Sequence, residues 1–304
     1  MRAVVTGGAG FIGSHVAEAL AARGDEVHVL DNLSTGRREH VPAGVRLHVG
    51  DIREDADLDL VFDEARPELC FHLAAQADVG TSVAEPVYDA EVNVLGTLRV
   101  LEAARRYEAQ VVFSSTGGAI YGECDGPATE DAPRRPLSPY GTAKLAAEEY
   151  LAAWNRLHGA RHVSLRFANV YGPRQAAGLE GGVVAIFLER MAAGEPTTIY
   201  GDGSQTRDFV HVGDVVRAVL AAAGHDGGVF NIGTGVELPV AALHEACLRV
   251  AGSARPPEHA PARPGDLLRS VLDPGLAAAE LGWQAETGLE DGLAETWDWV
   301  RSVQ

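Results

Sequence analysis

Tyr140 and Lys144 stand four residues apart in Ser138-Pro139-Tyr140-Gly141-Thr142-Ala143-Lys144, and Lys144 is the one lysine in a 304-residue chain whose other permanent cations are arginines. Residues i and i+4 share a helix face, so the phenol and the ammonium can meet one ligand. A drift toward arginine that spares this position alone marks a site that needs a compact ammonium rather than a planar guanidinium. The chemistry that fits is acid/base catalysis. A free phenol titrates near pH ~10, and each unit by which it is lowered corresponds to about 1.4 kcal/mol of preference for the phenolate. A nearby ammonium supplies such a preference. Tyr140 is therefore read as a general acid/base, and Lys144 as the group that tunes it and reaches ribose hydroxyls.

The amino terminus indicates which partner such a pair could work with. An apolar run, Ala3-Val4-Val5, leads into Gly7-x-x-Gly10-x-x-Gly13 and a helical pattern, and a second apolar run, Val27 to Leu30, ends on Asp31. Strand, glycine turn, helix, strand, acid is a dinucleotide-binding unit. The glycines give a tight turn, close approach of backbone to pyrophosphate and contact between helix and strand. Asp31, eighteen residues past Gly13, is placed to accept both hydroxyls of an adenosine ribose and to repel a 2′-phosphate, which selects NAD over NADP.

The elements that must position these groups follow from patterning. Apolar runs near 3–6, 27–30, 45–49, 69–73, 110–114 and 162–167 alternate with helical patterns near 11–23, 56–65, 86–107 and 140–158. Such alternation predicts an α/β fold, a doubly wound parallel sheet of Rossmann type. Residues 1–168 are expected to form the NAD-binding domain, with a later return near 208–235, and 169–304 mainly a smaller α/β substrate-binding domain. Stretches 122–139, 174–182 and 252–266 read as loops.

Composition excludes several functions. A formal charge of −18 opposes nucleic acid, whose phosphates need a basic face. The same charge means that an anionic substrate needs local arginines, which draws attention to Arg207 and Arg263. No long apolar stretch or signal-like start is present, so no membrane association is expected and the protein is read as cytoplasmic. Cys70, Cys124 and Cys247 are widely spaced and read as free thiols. The eleven histidines form no His-Glu-x-x-His pattern, so no metal is expected. No Gly-x-Ser-x-Gly elbow points to a serine hydrolase.

Taken together, the Tyr140-x-x-x-Lys144 pair and the glycine loop resemble the extended short-chain dehydrogenase/reductase superfamily. Further motifs resemble its NAD-dependent epimerase/dehydratase family, and within it the UDP-glucose (UDP-galactose) 4-epimerases. They are Asp31-Asn32-Leu33, Gly50-Asp51-Ile52-Arg53, Phe71-His72-Leu73-Ala74-Ala75, Asn93 in Val92-Asn93-Val94, Ser114-Ser115-Thr116, Arg166-Phe167-Ala168-Asn169, Thr206-Arg207-Asp208-Phe209 and Arg263-Pro264-Gly265-Asp266. The resemblance implies cofactor contacts from Gly7, Gly10, Phe11, Ile12, Gly13, Asp31, Asn32, Asp51, Ile52, Leu73, Ala74, Ala75, Asn93, Ser114, Tyr140, Lys144 and Phe167. For the substrate it implies Thr116, Gly117, Gly118, Tyr140, Asn169, Arg207, Arg263, Asp266 and Ser270. Phe209 either lines the sugar pocket or is a plain core aromatic. It also implies a homodimer built on the helices near 86–107 and 140–158.

One departure from the resembled pattern is informative. Thr116, read as a proton relay beside Tyr140, is followed by Gly117 and Gly118, and the loop is one residue longer than in the usual epimerase. The acidic residues with which related 4,6-dehydratases and decarboxylases work at this point are absent. What remains is 4-epimerisation: Tyr140 takes the proton of a sugar 4-hydroxyl as hydride passes to tightly bound NAD, and returns it after the 4-keto sugar has turned over. Ser270, small where a bulky aromatic would bar an acetamido group, extends the expected substrates from UDP-glucose and UDP-galactose to the N-acetylated pair. The alternatives are a nucleotide-sugar reductase or dehydrogenase, a UDP-glucuronate 4-epimerase and, more remotely, a non-catalytic NAD-binding interaction protein.

Overall fold

β-Branched and aliphatic runs that are buried on both faces build the centre of the molecule. A computed structural model describes residues 1–176, 182–262 and 267–303. Strands β1 (Arg2–Thr6), β2 (Glu26–Asp31), β3 (Arg46–Val49), β4 (Leu69–His72), β5 (Gln110–Thr116) and β6 (Val163–Phe167) join Gly228–Ile232 in one seven-stranded sheet. Its order is Gly228–Ile232, β6, β5, β4, β1, β2, β3, with every pairing parallel. The chain winds outward from β1 to β3, then restarts at β4 on the other side. The crevice at the carboxyl ends of β1 and β4 is therefore a topological switch point, where open α/β sheets bind ligands.

Helices cover both faces. Phe11–Ala22 and Val212–Ala221 pack on one face over Val5, Val29, Phe71 and Leu165; Asp55–Ala65, Thr97–Arg106 and Pro139–His158 cover the other over Val4, Leu30, Cys70 and Phe113. A third core, with Tyr171, Phe187, Phe209 and Leu243, holds together Val183–Ala192, Val240–Ala251 and Leu289–Ser302. Asp208 ties the chain where it returns toward the sheet: its buried carboxylate accepts from the N–H groups of Thr234 and Gly235 and from the Thr234 hydroxyl.

Three differences from the sequence-based expectations have identifiable causes. The helix expected near 86–107 is broken into Pro86–Ala90, a π-helical turn Glu91–Gly96 and Thr97–Arg106. Inside that turn the Asn93 side chain bonds away from the helix, to Gln76, and Thr97 Oγ1 donates back to the Asn93 carbonyl. Val79–Ala84 is a short helix started by Asp78, whose Oδ1 accepts from Thr81 N. Within 252–266, read as a loop, Glu258–Ala260 pairs with Thr198–Tyr200.

Candidate active site

Tyr140 and Lys144 are placed by helix Pro139–His158. Ser138 caps it through Gly141 N–H at 3.1 Å, Pro139 occupies the first turn, and Gly159 ends it at φ +67°. Its buried stripe, Gly141, Lys144, Ala147, Glu148 and Leu151, follows the helical period. A Cβ on Gly141 would lie 2.5 Å from the Ala119 carbonyl oxygen, so this turn is held directly against the segment after β5. One turn past Lys144, the Glu148 carboxylate takes both ends of the Arg166 guanidinium at 2.7–3.2 Å, each side chain 2% exposed. Arg166 also donates to the Tyr121 hydroxyl at 2.6 Å, and that hydroxyl donates to Asn231 Oδ1. The helix is thereby clamped to β6 directly beneath the dyad.

Lys144 is buried and donates to the Ser114 carbonyl at 2.9 Å, with its ammonium 4.7 Å over the Phe113 ring. Burial pulls its pKa down to about 8, against the negative charges of Asp89 and Glu148. Burial pushes the Tyr140 phenol up to about 12, the Asp89 charge adds to the rise, and hydrogen bonding by Thr116 opposes it. Thr116 closes β5 and starts the single turn Gly117–Ile120. A Cβ on Gly118 would lie 3.8 Å from Asn169 Oδ1 and 3.9 Å from Thr116 Oγ1. Thr116, Gly118, Tyr140 and Asn169 thus surround one small space.

That space is part of a cleft of about 1450 Å³. At its other end is a cradle built from backbone. Gly7 has φ +71°, and a Cβ there would meet Ala74 N at 2.6 Å; one on Gly13 would meet the Gly7 carbonyl oxygen at 2.1 Å. Gly10 caps Phe11–Ala22 without a side chain, so the first-turn N–H groups stay available to an anion. Asp31 accepts from Ala9 N at 2.9 Å and Leu33 N at 2.8 Å, which fixes its carboxylate at the end of β2. Asn32 donates to Asp51, whose carboxyl is held down at about 2 chiefly by hydrogen bonds from the Arg53 side chain. Behind the strap after β4, His72 bridges Thr6 and Thr97 at 2.7 and 3.0 Å, and burial lowers its pKa to about 3, so it is neutral.

Of the residues expected to touch a cofactor, Gly7, Gly10, Phe11, Ile12, Gly13, Asp31, Asn32, Asp51, Ile52, Leu73, Ala74, Ala75, Ser114, Tyr140, Lys144 and Phe167 line this cleft. Asn93 lies behind it, 2% exposed, joined to the strap by hydrogen bonds with Gln76. Of the residues expected to touch the substrate, Thr116, Gly118, Tyr140, Asn169 and Arg207 line the cleft. Arg207 is anchored by its own Nη1, which donates to the carbonyls of Thr206 and Leu267 at 2.8 Å. Gly117 is packed beneath Leu272, where a Cβ would stand 2.4 Å from Cδ1. Of the two readings of Phe209, the structure gives the core aromatic: it is 6% exposed in the third cluster. Ser270 pairs in register with Arg207, so both side chains share one face of their small sheet, with the shorter stopping short of the cleft wall. Arg263 and Asp266 lie outside the described residues.

The sequence reading missed Gln76, Asp89 and the Glu148–Arg166 pair. Helical spacing carried a signal for two of them: Glu148 is one turn from Lys144, and Asp89 one turn from Asn93. Away from the cleft, His28, His48 and Glu64 bring ligand-type atoms within 4.8 Å of one another. The two imidazoles lie 13° from parallel with 3.0 Å between Nδ1 and Nε2, and their 5.2 Å centroid separation sets them end to end along an N–H···N bond.

The sequence profile of the NAD dependent epimerase/dehydratase family matches residues 3–233. The chain belongs to that family. The epimerase/dehydratase relatives include a UDP-glucose 4-epimerase of Mycolicibacterium smegmatis, 46% identical over 99% of each chain. Among solved structures, the UDP-glucose 4-epimerase of Thermotoga maritima with UDP-glucose superimposes with a TM-score of 0.97 at 45% identity, covering 100% of this chain and 99% of that one. The Thermus thermophilus UDP-glucose 4-epimerase in complex with NAD gives 0.95 at 48% identity over the whole of both chains. The family's cofactor suits the residues present, because the cradle is filled by any Cβ at Gly7 or Gly13 and Asp31 stands ready for a ribose.

Proposed function

We propose that this chain interconverts UDP-glucose and UDP-galactose at C4. The observation that carries this reading is the convergence of Tyr140, Lys144 and Thr116 at one end of a cleft whose other end is the glycine cradle. NAD held there supplies a hydride acceptor and then a hydride donor at the sugar C4, by way of a 4-keto sugar. Tyr140 accepts the proton of the 4-hydroxyl and later returns it. Lys144 lends positive charge that favours the phenolate, and Thr116 hydrogen-bonds the phenol and orients the sugar oxygen. Gly117 and Gly118 offer no acid to expel water, which favours epimerisation over dehydration. Asn169 and Arg207, with Arg263 and Asp266, are assigned to the UDP moiety, whose diphosphate suits guanidinium forks. The exposed side chains of Val87, Leu95 and Tyr150, on helices packed together, support a homodimer through those helices.

No helix among the described residues is long and apolar enough to cross a membrane. Cys70 and Cys247 are buried, and burial raises both thiols; with Cys124 they are unpaired, which accords with a cytoplasmic protein.

The test is to incubate purified protein with UDP-galactose, without added cofactor, and separate the sugar nucleotides. UDP-glucose should accumulate to equilibrium, with NAD released on denaturation. Turnover that consumes added NAD or NADH in proportion to product would instead identify a dehydrogenase or reductase. UDP-N-acetylglucosamine and UDP-glucuronate in the same assay define the breadth of the sugar pocket.

A further inference from the structure

Asp89 is a buried carboxyl that the chemistry above leaves unused. It lies on Pro86–Ala90, 1% exposed, and its Oδ1 accepts hydrogen bonds from Gln76 Nε2 and Asn93 Nδ2, both at 2.9 Å. Its Oδ2 is buried without a hydrogen-bond partner. An oxygen left in that condition is costly to the fold, so neutral packing gives no reason to keep it there. Burial raises its carboxyl above the ordinary range, and the amide N–H donors of Gln76 and Asn93 and the Lys144 charge pull the other way, toward the carboxylate.

The groups facing it explain its place. Pro86–Ala90 packs on Pro139–His158, and from that helix Lys144 and Tyr140 both feel the Asp89 charge. Glu148 also faces Lys144 but is taken up by Arg166. His72, close to Lys144, is neutral, and Asp78 on the strap caps Val79–Ala84. Through Gln76 and Asn93 the same carboxylate reaches the strap: Asn93 Oδ1 accepts from Gln76 N at 3.0 Å, Asn93 Nδ2 donates to Gln76 O at 2.8 Å, and Gln76 Oε1 accepts from Asp78 N at 2.6 Å.

We propose that Asp89 is a positioning residue for the Tyr140–Lys144 dyad, its carboxylate balancing the Lys144 ammonium from behind while it fixes Asn93 and Gln76 beneath the cofactor strap. A negative charge in that place stabilises the ammonium and opposes the phenolate. It therefore raises the pKa of both groups, adding to the effect of burial at Tyr140 and opposing it at Lys144. Removing the charge while keeping the shape lowers both together. The proposal rests on Tyr140 and Lys144 being the acid/base pair; loss of turnover in Tyr140→Phe tests that reading separately.

The experiment compares Asp89→Asn and Asp89→Glu with the parent in two ways. The first is kcat for UDP-galactose against pH in the NAD-loaded protein. The second, independent of turnover, is the ultraviolet titration of tyrosinate in the cofactor-free protein, with Tyr140→Phe as the baseline that isolates Tyr140. Asp89→Asn should move both limbs of the kcat profile, and the Tyr140 titration, down by about one pH unit, and Asp89→Glu should restore the parental positions. A uniform fall in kcat at every pH with both limbs and the titration unmoved, at whatever cost in thermal stability, would overturn the proposal and leave Asp89 a packing residue. If Asp89→Asn fails to fold, Asp89→Ser, which leaves room for a water, is read by the same criteria.

Discussion

The two ends of the cleft are built by different means. The cradle is made of backbone over a short stretch of chain: Gly7, Gly10 and Gly13 shape it, and Asp31 is reached within the same βαβ unit. The end proposed to hold sugar and nucleotide is made of side chains brought from Thr116, Asn169 and Arg207, two of them on strands of two or three residues. A backbone site is fixed once its turn is fixed, because there is no side chain to move. A side-chain site depends on long-range packing, and it is here that the Glu148–Arg166 clamp and the Asp208 anchor act. Cofactor binding should therefore be brittle to small changes, whereas substrate preference should be adjustable.

The largest effect expected in that comparison is on chemistry alone. Tyr140→Phe should lower kcat by about 10³-fold, within the range for a lost general acid/base, with NAD content and melting temperature unchanged; a Phe variant that retained a tenth of the parental rate would remove Tyr140 from its role. Next comes a pair of glycines. Gly13→Ala places a methyl 2.1 Å from the Gly7 carbonyl oxygen and should cost about 3 kcal/mol as well as retained NAD, whereas Gly118→Ala meets nothing closer than 3.8 Å and should alter stability by less than about 0.5 kcal/mol. Equal losses, read by thermal melting and by NAD released on denaturation, would erase the distinction between the two ends.

Lys144 sharpens the comparison through pH. Its folded-state pKa of about 8 lies below the ordinary value of 10.5, so keeping the proton costs the fold below pH 8, and the cost fades as pH rises toward 10.5. Lys144→Met should abolish turnover yet stabilise the cofactor-free protein near neutral pH by about 1–3 kcal/mol, the gain vanishing at alkaline pH. Denaturant melts across that range check the sign. The smallest effect is at Ser270, where the register with Arg207 aims a longer side chain at the cleft. Ser270→Tyr should lower kcat/KM for UDP-N-acetylglucosamine relative to UDP-glucose by about tenfold, the scale of a steric exclusion in a pocket.

Legibility in the sequence divides along the same line. Five of the six apolar runs became β1, β2, β4, β5 and β6 because strands buried on both faces leave continuous hydrophobic stretches, whereas the sixth became the edge strand β3, which has no fully buried position. The cradle was readable because glycine spacing is itself the geometry. The dyad was readable because a chain that otherwise uses arginine keeps its single lysine one helical turn from a tyrosine. Gly228–Ile232, anticipated only as a return of the chain, has a glycine and an asparagine among its five positions and gives little strand pattern. The π-helical turn at Asn93 was hidden because its cause, the pull of Gln76 on the Asn93 side chain, spans 17 residues of sequence. Phe209 could not be separated into core or pocket by type alone; burial against Phe187 and Tyr171 decided it. Asp89 went unread because an acid in an amphipathic segment looks like any solvated acid until its burial is known.

If one retained cofactor and one acid/base dyad act on both faces of the same sugar carbon, the hydrogen at C4 never leaves the cleft. UDP-galactose deuterated at C4, turned over in ordinary water with no cofactor added, tests this most directly by mass spectrometry of the product. Full retention of deuterium at C4 of UDP-glucose is the predicted result. Loss of the label, or its dilution by added NADH, would contradict the proposed mechanism.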